Sequence, residues 1–202
     1  MNSLNGGTSP GILQSGIQWA WFTARCSTLG GTFRYTSDTV FDTFPWPQFE
    51  VAQASTPASS GGVPPPVKSS KQTPGGTPGQ PAAGTAALQK IRAVADAAVA
   101  LRQLRREIMD ANNWLLRELY KSLETPGENR RRTAHARLDA AVRAAYGMKP
   151  DEDILAFLLK LNLELAAKEA NGQAITPPGL PAFVEDSKDC ISKDCVTVES
   201  TR

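Results

Sequence analysis

Apolar residues near the start of the chain, Ile12, Leu13, Ile17, Ala20, Ala24 and Leu29, recur at helical spacing. This predicts an amphipathic helix from Pro10 or Gly11 to a stop at Gly30-Gly31. Its polar side collects Gln14, Gln18 and Arg25 together with Trp21, and a ring beside such groups suits either a recognition surface or a packed interface. After the glycines, Thr32 to Tyr35 and Thr39 to Phe41 alternate like short strands around Thr36-Ser37-Asp38. Pro45 and Pro47 then forbid a regular ladder, so an extended strap should follow.

From Ala52 to Gly84 the pattern vanishes into Pro, Gly, Ser, Thr and Ala. Such a stretch cannot bury enough surface to offset its ordering entropy, and a disordered linker is expected. Its r.m.s. span would be roughly 30 Å.

Periodicity returns with Ile91, Val94, Ala98, Leu101, Leu104 and Ile108, one apolar stripe of a long helix. Trp114, Leu115, Leu119 and Leu123 continue it beyond Asn112-Asn113, where competing side-chain hydrogen bonds should break the helix. Thr125-Pro126-Gly127-Glu128 has the form of a capping box opening a further helix. The core face of that helix would be Ala134, Leu138, Ala141, Val142 and Ala145, with Gly147 as its stop. A last helix should start at Asp151, whose carboxylate can cap it, with Asp153 placed favourably against the N-terminal dipole, and run through Ile154, Leu155, Leu158, Leu161 and Leu165 to about Ala170. The expected class is therefore mainly α: an N-terminal helix with short strands, a linker, then a three- to four-helix bundle. The corresponding regions are 1–51, 52–84, 85–183 and a disordered tail at 184–202.

Composition sharpens one part of this picture. Trp19, Trp21, Phe22, Phe33, Tyr35, Phe41, Phe44, Trp46 and Phe49 are nine of the fourteen aromatics. Rings bury roughly 150 to 250 Å² each, more than so short a segment can hide alone. The segment needs a neighbour that these residues do not themselves encode, with Trp19, Trp21, Phe44 and Trp46 as the candidate partner-packing surface, and the chain reads as a piece of a larger enzyme.

Charge is uneven: residues 85–150 carry thirteen Lys/Arg against seven Asp/Glu, and residues 151–202 carry five against ten. No run approaches the length of a membrane span, and the start lacks the features of a signal peptide. The expected compartment is the cytoplasm, with no membrane partner. Three cysteines, Cys26, Cys190 and Cys195, make no even disulfide framework and fit that expectation.

Catalytic chemistry is hard to assemble. The proline runs Pro64 to Pro66 and Pro177-Pro178 are followed by Val67 and Gly179, so neither forms the Pro-Pro-aromatic loop that holds a target nitrogen in amino-methyltransferases. The glycine clusters do not sit between a strand and a helix as a phosphate cradle requires. The lone His135 has no matching nucleophile or second metal ligand, and reads as a hydrogen-bonding group within the bundle. The repeated Ser-Lys-Asp-Cys of the tail offers two thiols without further ligands, too few for a metal site. No catalytic or metal residues are therefore expected, and this chain should bind no cofactor itself. Arg130, Arg131 and Arg132 either neutralise phosphates or form a solvated face. Arg34 and Tyr35 beside Ser37 suit a phosphate or base contact, or a cation–π corner.

The string ARCSTLGGTFRYTSDTVFDTFPWP, from Ala24 to Pro47, resembles the end of the target-recognition region of MmeI-like adenine-specific DNA methyltransferases. The string from Leu116 to Met148, with ILAFLLKLNLELAAKEANGQ after it, is similar to their C-terminal helical region. The resemblance implies a parent of restriction-modification type that uses S-adenosylmethionine, flips an adenine from double-stranded DNA and methylates it. Its catalytic machinery would lie upstream of Met1. On this reading the chain is the non-catalytic C-terminal DNA-recognition and structural portion, its DNA contacts drawn from Arg25, Arg34, Tyr35, Ser37 and Arg130 to Arg132. Its partners are duplex DNA and the methyltransferase catalytic domain. Two alternatives are a separately encoded specificity subunit that docks on such a catalytic partner through the Trp19, Trp21 and Trp46 surface, and an inert remnant of a truncated gene.

Overall fold

The computed structural model describes residues 8–49, 83–179 and 181. The expected linker, except its last two residues, and the expected tail lie outside the described residues. Within them the fold is mainly helical, with a two-stranded antiparallel sheet.

The first predicted helix is two: α1 (Thr8–Leu13) and α2 (Gly16–Arg25). Ser15 makes the break, because its hydroxyl donates to the Ile12 carbonyl at 2.6 Å and accepts from the Gln18 N–H as the cap of α2. Gly30-Gly31 is not a helix stop but the turn of a hairpin. Both glycines have positive φ, 58° and 82°, as the tightest hairpin turns demand. They join β1 (Ser27–Leu29) to β2 (Thr32–Arg34), with Thr28 opposite Phe33. The second expected strand, Thr39 to Phe41, is instead part of a single π-helical turn over Ser37–Phe41. Local oxygens divert it from a ladder: the Asp38 carboxylate accepts from the Thr39 N–H at 3.0 Å, and the Thr43 hydroxyl donates to the Thr39 carbonyl at 2.7 Å.

Beyond the linker, α3 (Ala83–Asn112) ends where the asparagines predicted, with Asn113 at φ 51°. A short α4 (Leu116–Lys121) follows, the Glu118 carboxylate accepting from the Leu115 N–H at 3.1 Å. Then α5 (Arg130–Tyr146) starts five residues after the expected Thr125 cap. Asn129 takes that role, accepting from the Arg131 N–H at 3.0 Å while its amide donates to the Ser122 carbonyl at 2.8 Å. Gly147 closes α5 in the left-handed region as expected. Asp153, and not the expected Asp151, caps α6 (Ile154–Ala170), accepting from the Ala156 N–H at 2.7 Å.

These helices share one core. Ile12, Ile17, Trp21, Phe22, Val40, Phe44 and Trp46 from the aromatic segment pack with Val94, Ala98, Leu101, Leu138, Val142 and Leu158 from α3, α5 and α6. This corrects the expectation of an outside partner: the neighbour that Trp21, Phe44 and Trp46 need is this chain's own helical block. Two straps lock the arrangement. Gln48 pairs with Thr176 in both directions, at 2.7 and 3.2 Å, and the Asn162 amide donates to the Thr43 carbonyl at 2.8 Å.

Candidate nucleic-acid interface

The hairpin projects from the C-terminal end of α2, and its described side chains are exposed. Phe33 and Tyr35 lie on one face of β2 and its extension and pack on Phe22, with ring centroids 5.8 and 5.5 Å away. Strand alternation then turns Arg34 to the opposite face. Trp19, 57% exposed, meets Phe33 edge-on at 6.4 Å. At the end of α2 the exposed Arg25 guanidinium sits 5.5 Å from the Trp21 ring centre, a cation–π contact that steadies it. Burial, with a smaller contribution from the Asp42 carboxylate, raises the Tyr35 phenol above its ordinary pKa, so it remains a hydroxyl donor near neutrality. Ser37 is exposed at the start of the π-helical turn. Arg25, Arg34, Tyr35 and Ser37 are therefore all exposed, at the end of α2, on the hairpin and at the turn that follows it. Their chemistry suits phosphate oxygens and base edges.

The other expected contacts divide. Trp21, Phe44 and Trp46 are 3%, 3% and 7% exposed, so of the four candidate packing residues Trp19 alone offers a large free face. The arginine run splits by helical rotation of about 100° per residue. Arg130 and Arg132 are exposed, and Arg132 Nη2 donates to the carbonyls of Thr125 and Gly127, which tethers the loop before α5. Arg131 is 2% exposed and is corrected from DNA contact to interior group. Its Nη1 donates to the Leu119 carbonyl in the last turn of α4, where the helix dipole favours a cation.

Arg131 belongs to a second cluster that periodicity concealed. Arg105 on α3 donates through Nη1 to Gln14 Oε1 at 2.9 Å, and its Nη2 lies 3.3 Å from His135 Nε2 on α5. The Arg105 guanidinium also lies over the Tyr120 ring, 5.9 Å from its centre. Burial first and Arg105 second lower the pKa of both His135 and Arg131; for His135, Asp139 opposes them and Arg131 adds to them. His135 is thus a neutral acceptor at pH 7. The apolar stripe of α3 passes through Leu104, but the alternating steps 91, 94, 98, 101 lead equally to 105, and this is the one sequence signal that points to Arg105.

A cavity of about 380 Å³ lies between residues 41–48, α6 and residues 175–178, lined among others by Phe41, Trp46, Asn162 and Ile175. The described residues of its wall include no histidine, cysteine or basic side chain. Among the described residues no cluster of His, Cys, Asp and Glu could hold a metal ion. No helix among them is long and apolar enough to cross a membrane. No protein-family model, curated protein or solved structure matches this chain.

Proposed function

We propose that the chain serves as the non-catalytic DNA-recognition and structural portion of an S-adenosylmethionine-dependent, adenine-specific DNA methyltransferase of restriction-modification type. The observation that carries this reading is the exposed hairpin end. It holds Arg25, Arg34, Tyr35 and Ser37, all within the string that resembles the end of such a recognition region. The helical core acts as the platform that holds this end rigid. Catalysis and S-adenosylmethionine binding belong to the catalytic domain that it accompanies.

Binding of a labelled DNA duplex, followed by fluorescence anisotropy across a salt series, tests the reading. Duplex binding that weakens in R25A and R34A supports it, with a salt slope about 0.9 shallower for each phosphate that the variant no longer neutralises. Absence of duplex binding at low salt, or binding indifferent to both substitutions, refutes the role of the hairpin. Methyl transfer from labelled cofactor by the isolated chain would refute the division of labour.

The exposed stripe Leu155, Leu159 and Leu163 on α6 favours a second reading, a separate specificity subunit docked on a catalytic partner. Substituting Leu159 with Glu would abolish co-purification with that partner and leave hairpin-dependent DNA binding unchanged.

A further inference from the structure

Arg105, Arg131 and His135 bring three basic groups together from α3 and α5 at the side of the bundle. The groups facing His135 are Arg105 from α3, Arg131 and Asp139 from α5, and the neutral Gln14 amide, bonded to Arg105, from the end of α1. The one carboxylate among these groups, Asp139, accepts from the Gly16 N–H through Oδ1 at 2.7 Å. Two permanent cations therefore lie near one another with one carboxylate, Asp139, acting on His135 among the described residues. Arg131 is 2% exposed, and its Nη2 is buried without a hydrogen-bond partner among the described residues. An arginine nitrogen left in that state is costly unless an acceptor arrives to meet it. Arg105 and His135 are only partly buried and Tyr120 is half exposed, so solvent reaches these members of the cluster.

We propose that Arg105, Arg131 and His135 form a binding site for a phosphate group, distinct from the hairpin and independent of the DNA-recognition reading. Its chemistry follows from the donors. A doubly charged oxyanion offers acceptors to the Arg105 fork and to the stranded Arg131 Nη2. Arg105 Nη2 then leaves His135 Nε2, which takes up a proton from solvent and becomes a third donor. Binding is thus coupled to uptake of one proton and strengthens as the pH falls toward the ordinary histidine range.

His135 is the chain's one histidine, so its imidazole resonances are identified without assignment. Its NMR titration is followed in the full chain with inorganic phosphate, and separately with a short DNA duplex lacking terminal phosphates, each against chloride at equal ionic strength. The expected result is a saturable shift in which the His135 pKa rises by about 1 to 3 units. A saturable response to inorganic phosphate supports the site, whereas a response to the duplex alone, whose backbone does not reach Arg131 at 2% exposure, overturns it. R105Q should weaken the response at least tenfold while the backbone amide spectrum stays that of the folded chain. Silence of His135 toward both probes overturns the proposal, as does a response undiminished in R105Q.

Discussion

The Tyr146 hydroxyl donates a 2.9 Å hydrogen bond to the carbonyl oxygen of Pro45, 101 residues away in sequence. One group thereby ties the end of α5 to the aromatic strap. Proline has no N–H to join a ladder, so the strap relies on such side-chain donors to satisfy its carbonyls. Y146F keeps the edge-on contact with Phe157 and removes the donor, and should cost about 1 to 3 kcal/mol in denaturant unfolding. Burial holds the Tyr146 phenol well above its ordinary pKa near 10. The unfolded chain loses this proton first, so the contribution is intact below about pH 10 and stability falls as the pH rises further. That alkaline slope should be shallower in Y146F.

A methyl group on Gly11 would lie 2.9 Å from Val94 Cγ1 and 3.0 Å from the Ala98 Cβ. The α1–α3 crossing therefore depends on the missing side chain. Gly11→Ala should lower stability by about 1 to 3 kcal/mol despite its better helix propensity. Adding Val94→Ala should recover part of the loss relative to V94A alone, as measured by a double-mutant cycle in urea.

The two ends of the aromatic segment should respond differently to truncation. Trp46 is buried edge-on against Phe41 and Phe44, and W46A should cost about 3 to 5 kcal/mol. Trp19 stands mostly in solvent, and W19A should cost about 1 kcal/mol or less. Equal losses in thermal unfolding would show that the exposed hairpin end is part of the core after all.

His135 titrates against its surroundings: burial first, then Arg105, lower its folded pKa. Below about pH 6.5 the unfolded chain binds the proton more readily, so stability is unaffected above that value and declines as the pH falls toward the folded pKa. Denaturant midpoints measured in chloride should fall across this range in the native chain and stay flatter in His135→Gln. Phosphate in place of chloride should reduce the decline, because the occupied site welcomes the protonated imidazole.

Legibility from the sequence followed the strength of local physics. The long apolar periods of α3, α5 and α6 were readable, as were the Asn112-Asn113 break and the stop at Gly147. Short elements were not, because oxygens and glycines compete there with period. Ser15 divided one apolar stripe into two helices, and Gly30-Gly31 served a hairpin turn where a helix stop would have used the same residues. The Thr125 capping pattern lost to Asn129, whose amide could reach both the first turn of α5 and the Ser122 carbonyl. N129A should accordingly cost about 1 kcal/mol, whereas T125A should change thermal stability by about 0.5 kcal/mol or less. At the candidate sites, exposure of Arg25, Arg34, Tyr35 and Ser37 fitted their polarity. The burial of Arg131 and its closeness to Arg105 were tertiary facts, set by the α3–α5 packing and invisible in a run of three arginines.

Native-state hydrogen exchange is the most direct test of the central claim, that the aromatic segment and the helical block share one cooperative core. Amides of α2 around Trp21 and Phe22 should open with the same free energy as those of α5 around Leu138 and Val142, and W46A should lower both together. Exchange of α2 at nearly unprotected rates while α5 stays protected would contradict it.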